Sequence, residues 1–192
     1  MTPLIVIIGQ SGSGKTMVCD HLEQKYGIKQ IRTFTTRKPR DVNDNSHIWA
    51  DIKDYEYAKR NFKIIAETKF GDDTYWTLAS QIDGKRQGLV VDNNGLRWLY
   101  NTDYPMVVIH IWADKNVRYQ RIYNEVHKKY MRGKKPTVDV QLSAINFAFK
   151  VARDRINRDH DFEVIKCDYS IDGNCDKEEM YKRIDGIVEN YL

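Results

Sequence analysis

Eight consecutive residues near the start of the chain, Gly9-Gln10-Ser11-Gly12-Ser13-Gly14-Lys15-Thr16, carry the most specific chemistry in the sequence. They fit the spacing G-x-x-x-x-G-K-[ST] at every fixed position. Glycines reach positive φ, so successive backbone N–H groups can turn inward around phosphate oxygens. A helix that starts here adds the partial positive charge of its N-terminus. Lys15 supplies a point charge to β- and γ-phosphates, and the Thr16 hydroxyl is placed to ligate Mg²⁺. The expected phosphate-binding residues are therefore Gly9, Ser11, Gly12, Ser13, Gly14, Lys15 and Thr16. A Gly/Ser-rich turn with a solvated lysine is the plain alternative, and the strand before and helix after the motif weigh against it. The motif announces a bound nucleoside triphosphate and leaves open what happens to its phosphate.

Two further stretches concentrate positive charge. Thr33-Phe34-Thr35-Thr36-Arg37-Lys38-Pro39-Arg40 holds three hydroxyls and three cations, with Lys29 and Arg32 just before it and no acid between. Arg37 and Arg40 are spaced to converge on one anion, and planar guanidinium forks suit a phosphate; a solvated basic loop is the alternative. Lys115 to Lys135 sets eight Lys and Arg against the single acid Glu125. Most of those cations read as a charged helical face.

Distant stretches need a scaffold to meet on, and the apolar pattern describes one. Leu4–Ile8, Gly88–Val91, Met106–Trp112 and Phe162–Ile165 are apolar runs rich in Val and Ile, the signature of strands buried on both faces of a parallel sheet. Between them lie segments of helical period. One starts at Met17 and reaches Tyr26, one begins near Val117, one runs through Ala144 to Ile156, and a last one spans about Asp176 to Tyr191. Strands alternating with helices predict an α/β fold of three layers around a parallel sheet. Residues 29 to about 87 break the alternation. Short strands at 63–68 and 74–78 around a helix at 53–61 predict a small inserted subdomain. Gly133 and Pro136 interrupt two helices within residues 130–138, which reads as a mobile connector able to act as a lid. The organisation expected is one domain over 1–192: a core of 1–28 and 88–192, the insertion at 29–87, and a lid at about 128–140. His110 and Trp112 lie inside an apolar run and read as core.

Composition bounds the rest. Hydrophobic residues make up 41% of the 192, with 12 Tyr, 4 Trp and only 11 Gly and 4 Pro, which excludes a disordered chain. No apolar run approaches the roughly 20 residues of a membrane span, and Leu4–Ile8 lacks the length and basic flank of a signal peptide. Three cysteines at non-metal spacing predict neither a disulfide framework nor a metal site, and a reducing cytoplasmic setting. The formal charge is +4. It is concentrated in the cationic stretches, without a nucleic-acid recognition motif, so nucleic acid is not the expected partner.

Taken together, Gly9–Thr16 and the Thr35-Thr36-Arg37-x-Pro39-Arg40 block make the chain resemble the guanylate kinase family, P-loop nucleoside monophosphate kinases, and most closely its short phage and Firmicute-type members. His47-Ile48-Trp49, Tyr75-Trp76-Thr77 and Asp92-x-Asn94-Gly95 continue the likeness in order across nearly the whole chain. The resemblance implies a P-loop NTPase fold whose inserted subdomain binds the acceptor nucleotide. It implies ATP as co-substrate with Mg²⁺, and phosphoryl transfer to a nucleoside 5′-monophosphate, GMP or dGMP, small nucleotides being the only partners. It places Arg37, Arg40 and Tyr75 on the acceptor phosphate. His47 stands where the family has a second phosphate-binding Tyr, and reads equally as an ordinary loop residue. Guanine-reading positions fall on Thr33, Ala66, Thr77 and Asp92, where Ala66 replaces a Glu whose carboxylate would face N1–H and N2–H of the base. Glu67 substitutes only if a bulge shifts the strand. Trp76 replaces a Gly. Among the catalytic cations, Lys15 and Arg121 match; Arg132 is the lid candidate. The arginine expected on the following helix falls near Asn146, with Arg153 one face further on. Asp168 resembles the segment near the donor adenine, with Cys167 in place of Asn. Two other functions share these residues: phosphorylation of a phosphorylated ribose, and a non-catalytic module that binds a phosphopeptide. Oligomeric state is not legible.

Overall fold

The computed structural model describes residues 2–39, 44–159, 163 and 165–192. Its centre is β1 (Leu4–Ile8), five residues buried on both faces as the run of Leu, Ile and Val requires. β7 (Gln87–Val90) and β8 (Met106–Trp112) pair with β1 on its two sides, both parallel to it. β2 (Lys29–Ile31) and β9 (Tyr169–Asp172) complete a five-stranded sheet in the order β2-β7-β1-β8-β9, parallel throughout. This is the α/β fold around a parallel sheet that the alternation predicts. β1 lies between strands that leave it in opposite directions, which is where open α/β sheets bind ligands, beyond the carboxyl ends.

Side-chain alternation along β1 builds two cores. Ile5 and Ile7 point to α1 (Lys15–Tyr26) and α6 (Lys177–Val188), where Val18, Leu22, Met180 and Ile184 bury them. Leu4, Val6 and Ile8 point the other way, onto α3 (Asn93–Leu99) and onto β5 (Ile64–Phe70) of a second sheet. That sheet runs β4-β3-β6-β5, from β3 (Phe34–Thr35), β4 (Ile48–Trp49) and β6 (Asp73–Leu78). α2 (Ile52–Arg60) covers its outer face, started by a capping box in which Asp51 and Asp54 each accept from the other's end of the turn. α4 (Lys115–Met131) and α5 (Val138–Arg158) pack on each other through Ile122, Val126, Ala148, Ala152 and Ile156. Small alanines on α5 let the two helices approach closely.

Three expectations shift. No strand forms at Glu163 or Ile165, and Phe162 and Val164 lie outside the described residues; the fifth strand is Tyr169–Asp172. It is an edge strand whose only buried residue is Ile171, so its sequence lacks the apolar run of a central strand. The irregular connector is shorter than 130–138, because α4 runs to Met131 and α5 begins at Val138, leaving residues 132–137 with Gly133 at φ 75°. Trp112 ends β8 38% exposed, while His110 is buried as expected.

His110 sits on β8 opposite Ile8, with Ser170 Oγ 3.3 Å from its Nδ1. Burial, and then the positive charge of Lys15, hold its pKa below the ordinary histidine value. Below about pH 6.5 the unfolded chain takes up a proton that folded His110 resists, so stability falls as pH drops through that range. The melting temperature of His110→Gln should therefore fall less between pH 7.5 and 5.5 than that of the wild type, measured by circular dichroism. Parallel declines would remove His110 as the titrating group.

Candidate active site

The phosphate loop spans the carboxyl end of β1 and the first turn of α1. Gly9, at φ 148°, lies so close beneath β8 that a Cβ there would collide with the carbonyl oxygen of Ile111. At Gly12, φ 78°, a Cβ would come within 2.7 Å of the Arg118 carbonyl oxygen. Both positions thus need glycine twice over, for the dihedral and for the space. No side chain caps the start of α1 and no acid lies in its first turn, so its amides remain available to an anion.

Two arginines of α4 hold the loop from outside. Arg118, buried, donates from NH1 to Ser11 O at 3.3 Å and from Nε to Ala113 O at 3.1 Å. Arg121 donates from NH1 to Ser13 O at 3.3 Å and Gly12 O at 3.5 Å, and from NH2 to Gly173 O at 2.7 Å and Cys175 O at 3.3 Å. A trans peptide points its carbonyl and the next N–H in opposite directions. Gripping the carbonyls of residues 11–13 therefore turns the amides of Gly12, Ser13 and Gly14 away from the arginines.

Lys15 folds back along the loop, its Nζ donating to Gln10 O at 2.8 Å. Burial pushes its pKa down to about 8, against the opposing pull of Asp159. Asp159, which ends α5, is itself on the loop: its Oδ2 accepts from Ser11 N at 2.5 Å and lies 3.6 Å from Arg118 NH1, while its carbonyl accepts from Gln10 Nε2 at 2.8 Å. A protein carboxylate occupies an amide of an anion-binding turn.

The loop forms one wall of a cleft of about 840 Å³. Gly9, Ser11, Gly12, Gly14, Lys15, Thr16 and Arg121 line it on one side, and Thr33, His47, Tyr75, Thr77 and Asp92 on the other. Ser13 is buried in the turn with its hydroxyl unpartnered. Thr33 Oγ1 and His47 Nδ1 are 2.7 Å apart, and the His47 ring meets Tyr75 edge-on at 5.2 Å. Thr77 Oγ1 is fully buried in the cleft wall with no partner, a polar atom for which a bound ligand would supply one. Asp92 caps α3 through Gly95 N at 2.9 Å and also accepts from Thr68 Oγ1.

Three expected residues stand elsewhere, and a fourth is not described. Arg37 is not on the cleft wall; its NH2 pairs with Asp44 Oδ2 at 3.2 Å, and its Nε is buried without a partner. Arg40 lies outside the described residues. Arg132 caps the exposed end of α4. Arg153 points away from the cleft, 3.8 Å from Asp154, beside a shallow hollow shared with Asn146. The α5 cations that do line the cleft are Arg155 and Arg158. A helix turns 100° per residue, and packing of Ala148, Ala152 and Ile156 against α4 sets a phase that spacing alone left open. Asp168 pairs with the backbone of Val108, its Oδ2 accepting from Val108 N at 2.7 Å.

A bulge does lie in β5, between Ile64 and Ala66, but upstream of the pair in question. Ala66 stands opposite Thr77 and Glu67 opposite Trp76, so Glu67 still faces α2. There its carboxylate accepts from Tyr55 OH at 2.8 Å and Lys59 Nζ at 3.2 Å. Thr68 and Asp159 have no motif to betray them, and Arg118 was hidden in a cationic run.

The AAA domain family matches residues 5–139, more than half of the sequence. The chain belongs to that family. The chain is also guanylate-kinase-like: the guanylate kinase of Fusobacterium nucleatum is 26% identical over 99 residues, 48% of this chain and 54% of that protein. The match spans about half the length of this curated relative. In fold, a crystal structure of guanylate kinase from Anaplasma phagocytophilum superposes with a TM-score of 0.58 at 16% identity, covering 98% of this chain and 86% of the other.

The Asp159 carboxylate faces the place where phosphates of a bound nucleotide would carry the same sign. Asp159→Asn should tighten the binding of inorganic triphosphate at the loop about fivefold or more, the factor given by roughly 1 kcal/mol of relieved repulsion. An unchanged or raised dissociation constant in calorimetric titration would mean that this carboxylate does not oppose a phosphate.

Proposed function

We propose that this protein transfers the γ-phosphate of ATP to a nucleoside 5′-monophosphate, with GMP or dGMP as the acceptor. The observation that carries this reading is that one and the same cleft joins the phosphate loop to a second wall of hydroxyl, imidazole and carboxylate groups. Phosphoryl transfer needs little covalent help. It needs two mutually repelling phosphates neutralised, aligned and shielded from water. Lys15 and the amides of Gly12, Gly14, Lys15 and Thr16 would hold the donor phosphates, with Arg155 and Arg158 closing from α5, while the Ser13 amide stays bonded to Gln10 O. Tyr75 and His47 would orient the acceptor phosphate, and Arg37 would reach it by exchanging Asp44 for that phosphate. Thr33, Thr77 and Asp92 would read the acceptor base.

The residues present suit Mg²⁺. Thr16 offers an exposed hydroxyl on the cleft wall, and no cluster of three acidic, His or Cys residues competes for a cation among the described residues. That is the donor set of an ion held largely by substrate phosphates and water. Bound there, Mg²⁺ would neutralise charge on the transferring group. The fold holds no helix long and apolar enough to cross a membrane among the described residues; we place the activity in the cytoplasm.

Ala66 favours a second reading, a phosphorylated ribose as acceptor, because the wall opposite Thr77 lacks the carboxylate that would bind guanine N–H groups. A panel of ribo- and deoxynucleoside monophosphates and ribose phosphates, with ATP and Mg²⁺, separates the two by ADP release. Turnover of GMP or dGMP is expected, reduced about a hundredfold or more in Lys15→Ala. No turnover of any monophosphate would defeat the kinase assignment, and turnover of sugar phosphates alone would replace the acceptor. Ala66→Glu should raise kcat/KM for GMP about tenfold relative to other bases, the worth of one charge-assisted hydrogen bond. An unaltered base ranking would remove Ala66 from the base pocket.

A further inference from the structure

The helix α5 carries an apolar stripe that the described residues leave largely open, the rings of Tyr119 and Tyr123 meeting Phe149 along one edge. Val138, Leu142 and Phe149 are 73%, 54% and 50% exposed, with Ile145 half-buried between them. The spacing of four, three and four residues is that of a coiled-coil seam, distinct from the alanine face packed on α4. Beside the stripe lies a hollow of about 360 Å³ lined by Tyr119, Asn146, Phe149, Lys150 and Arg153. Four of these stand at i, i+3, i+4 and i+7, the pattern of the hole that receives a knob from a facing helix.

We propose that this face pairs two copies of the chain, α5 against α5, antiparallel about a two-fold axis between Ile145 and Asn146. About that midpoint Leu142 lies as far before as Phe149 lies after, and Val138 as far before as Arg153. Leu142 of one copy then meets the hole around Phe149 of the other, and the reverse contact is identical, as an isologous interface demands. Charge follows the same symmetry. Asp139, Lys150 and Arg153 share one flank of the helix and are all exposed. The two-fold axis keeps that flank on the same side in both copies, which brings Asp139 level with Lys150 and Arg153 of the second copy. A parallel pairing would instead carry that flank to opposite sides of the seam in the two copies and leave Asp139 without Lys150 and Arg153. The ion pair of Arg153 to Asp154, at 3.8 Å, is exposed and readily exchanged.

Sedimentation velocity on the full chain over a micromolar concentration series tests this. The expected species is a dimer. Leu142→Glu should raise its dissociation constant about tenfold or more while leaving circular dichroism unchanged. Asp139→Arg and Arg153→Asp should each weaken the dimer, and the two changes together should restore it, since only the antiparallel register pairs those positions. A monomer at every concentration would overturn the proposal and leave the stripe to a different partner or a lipid surface. A dimer indifferent to Leu142→Glu, or one that the double exchange fails to restore, would overturn it as well.

Discussion

The grip of Arg118 and Arg121 on the carbonyls of Ser11, Gly12 and Ser13 is the contact on which the cleft depends. A turn with its amides facing a common centre leaves donors unsatisfied, and such a turn would relax unless held. Here the restraint comes from both sides. Gly9 is pressed against the Ile111 carbonyl by the pairing of β1 with β8, and the arginines pull the following carbonyls outward. Because Arg121 also reaches Gly173 and Cys175, the same guanidinium ties the loop to the segment before α6. Helix α4 thus acts first as a brace for the turn. The cations of α5 that face the cleft are Arg155 and Arg158.

Charge is distributed on the same logic. Residues 115–135 carry +7 and residues 29–40 carry +5, so the rest of the chain carries −8 to leave +4. Each basic stretch is met by an acid from elsewhere: Asp159 bonds the phosphate loop beside Arg118, and Asp44 bonds Arg37. Concentrated like charge in a cleft costs folding energy through self-repulsion, and these carboxylates offset part of it. They do so at positions where an incoming phosphate can take over the same donors. The described structure is consistent with a protein whose anion sites are held by its own side chains.

Much of this was legible in the sequence because its signals were local. The phosphate loop is a contiguous motif between a strand and a helix, and Leu4–Ile8 and Met106–Trp112 keep the bounds their apolar runs announce. Signals that depend on a partner were not legible. Tyr169–Asp172 is a strand because β8 offers it an edge, not because its residues are apolar. The cations of α5 fall on Arg155 and Arg158 rather than Arg153 because α4 fixes the helix phase. Asp159 reaches the loop across a sequence separation of 148 residues, beyond any periodicity.

The register of the β5–β6 hairpin decides which chemistry the cleft wall presents. Side chains alternate with period two, so a slip of one residue would bury Tyr75 and Thr77 against α2 and expose Trp76 and Glu67 in their place. Two contacts hold the present setting. Trp76 is 2% exposed, its ring 5.7 Å from Phe34 and 5.4 Å from Tyr55. Glu67 beside it is satisfied by Tyr55 and Lys59, so a slip that turned the pair into the cleft would break three hydrogen bonds and empty the aromatic site of Trp76 together. The Trp at position 76, set against the small residue that the guanylate kinase resemblance leads one to expect, therefore has a structural account. It anchors the face opposite the cleft, and that anchoring keeps Glu67 from standing in for the carboxylate missing at Ala66. The polar side chains left on this part of the cleft wall are Thr33, Thr77 and the Asp92–Thr68 pair.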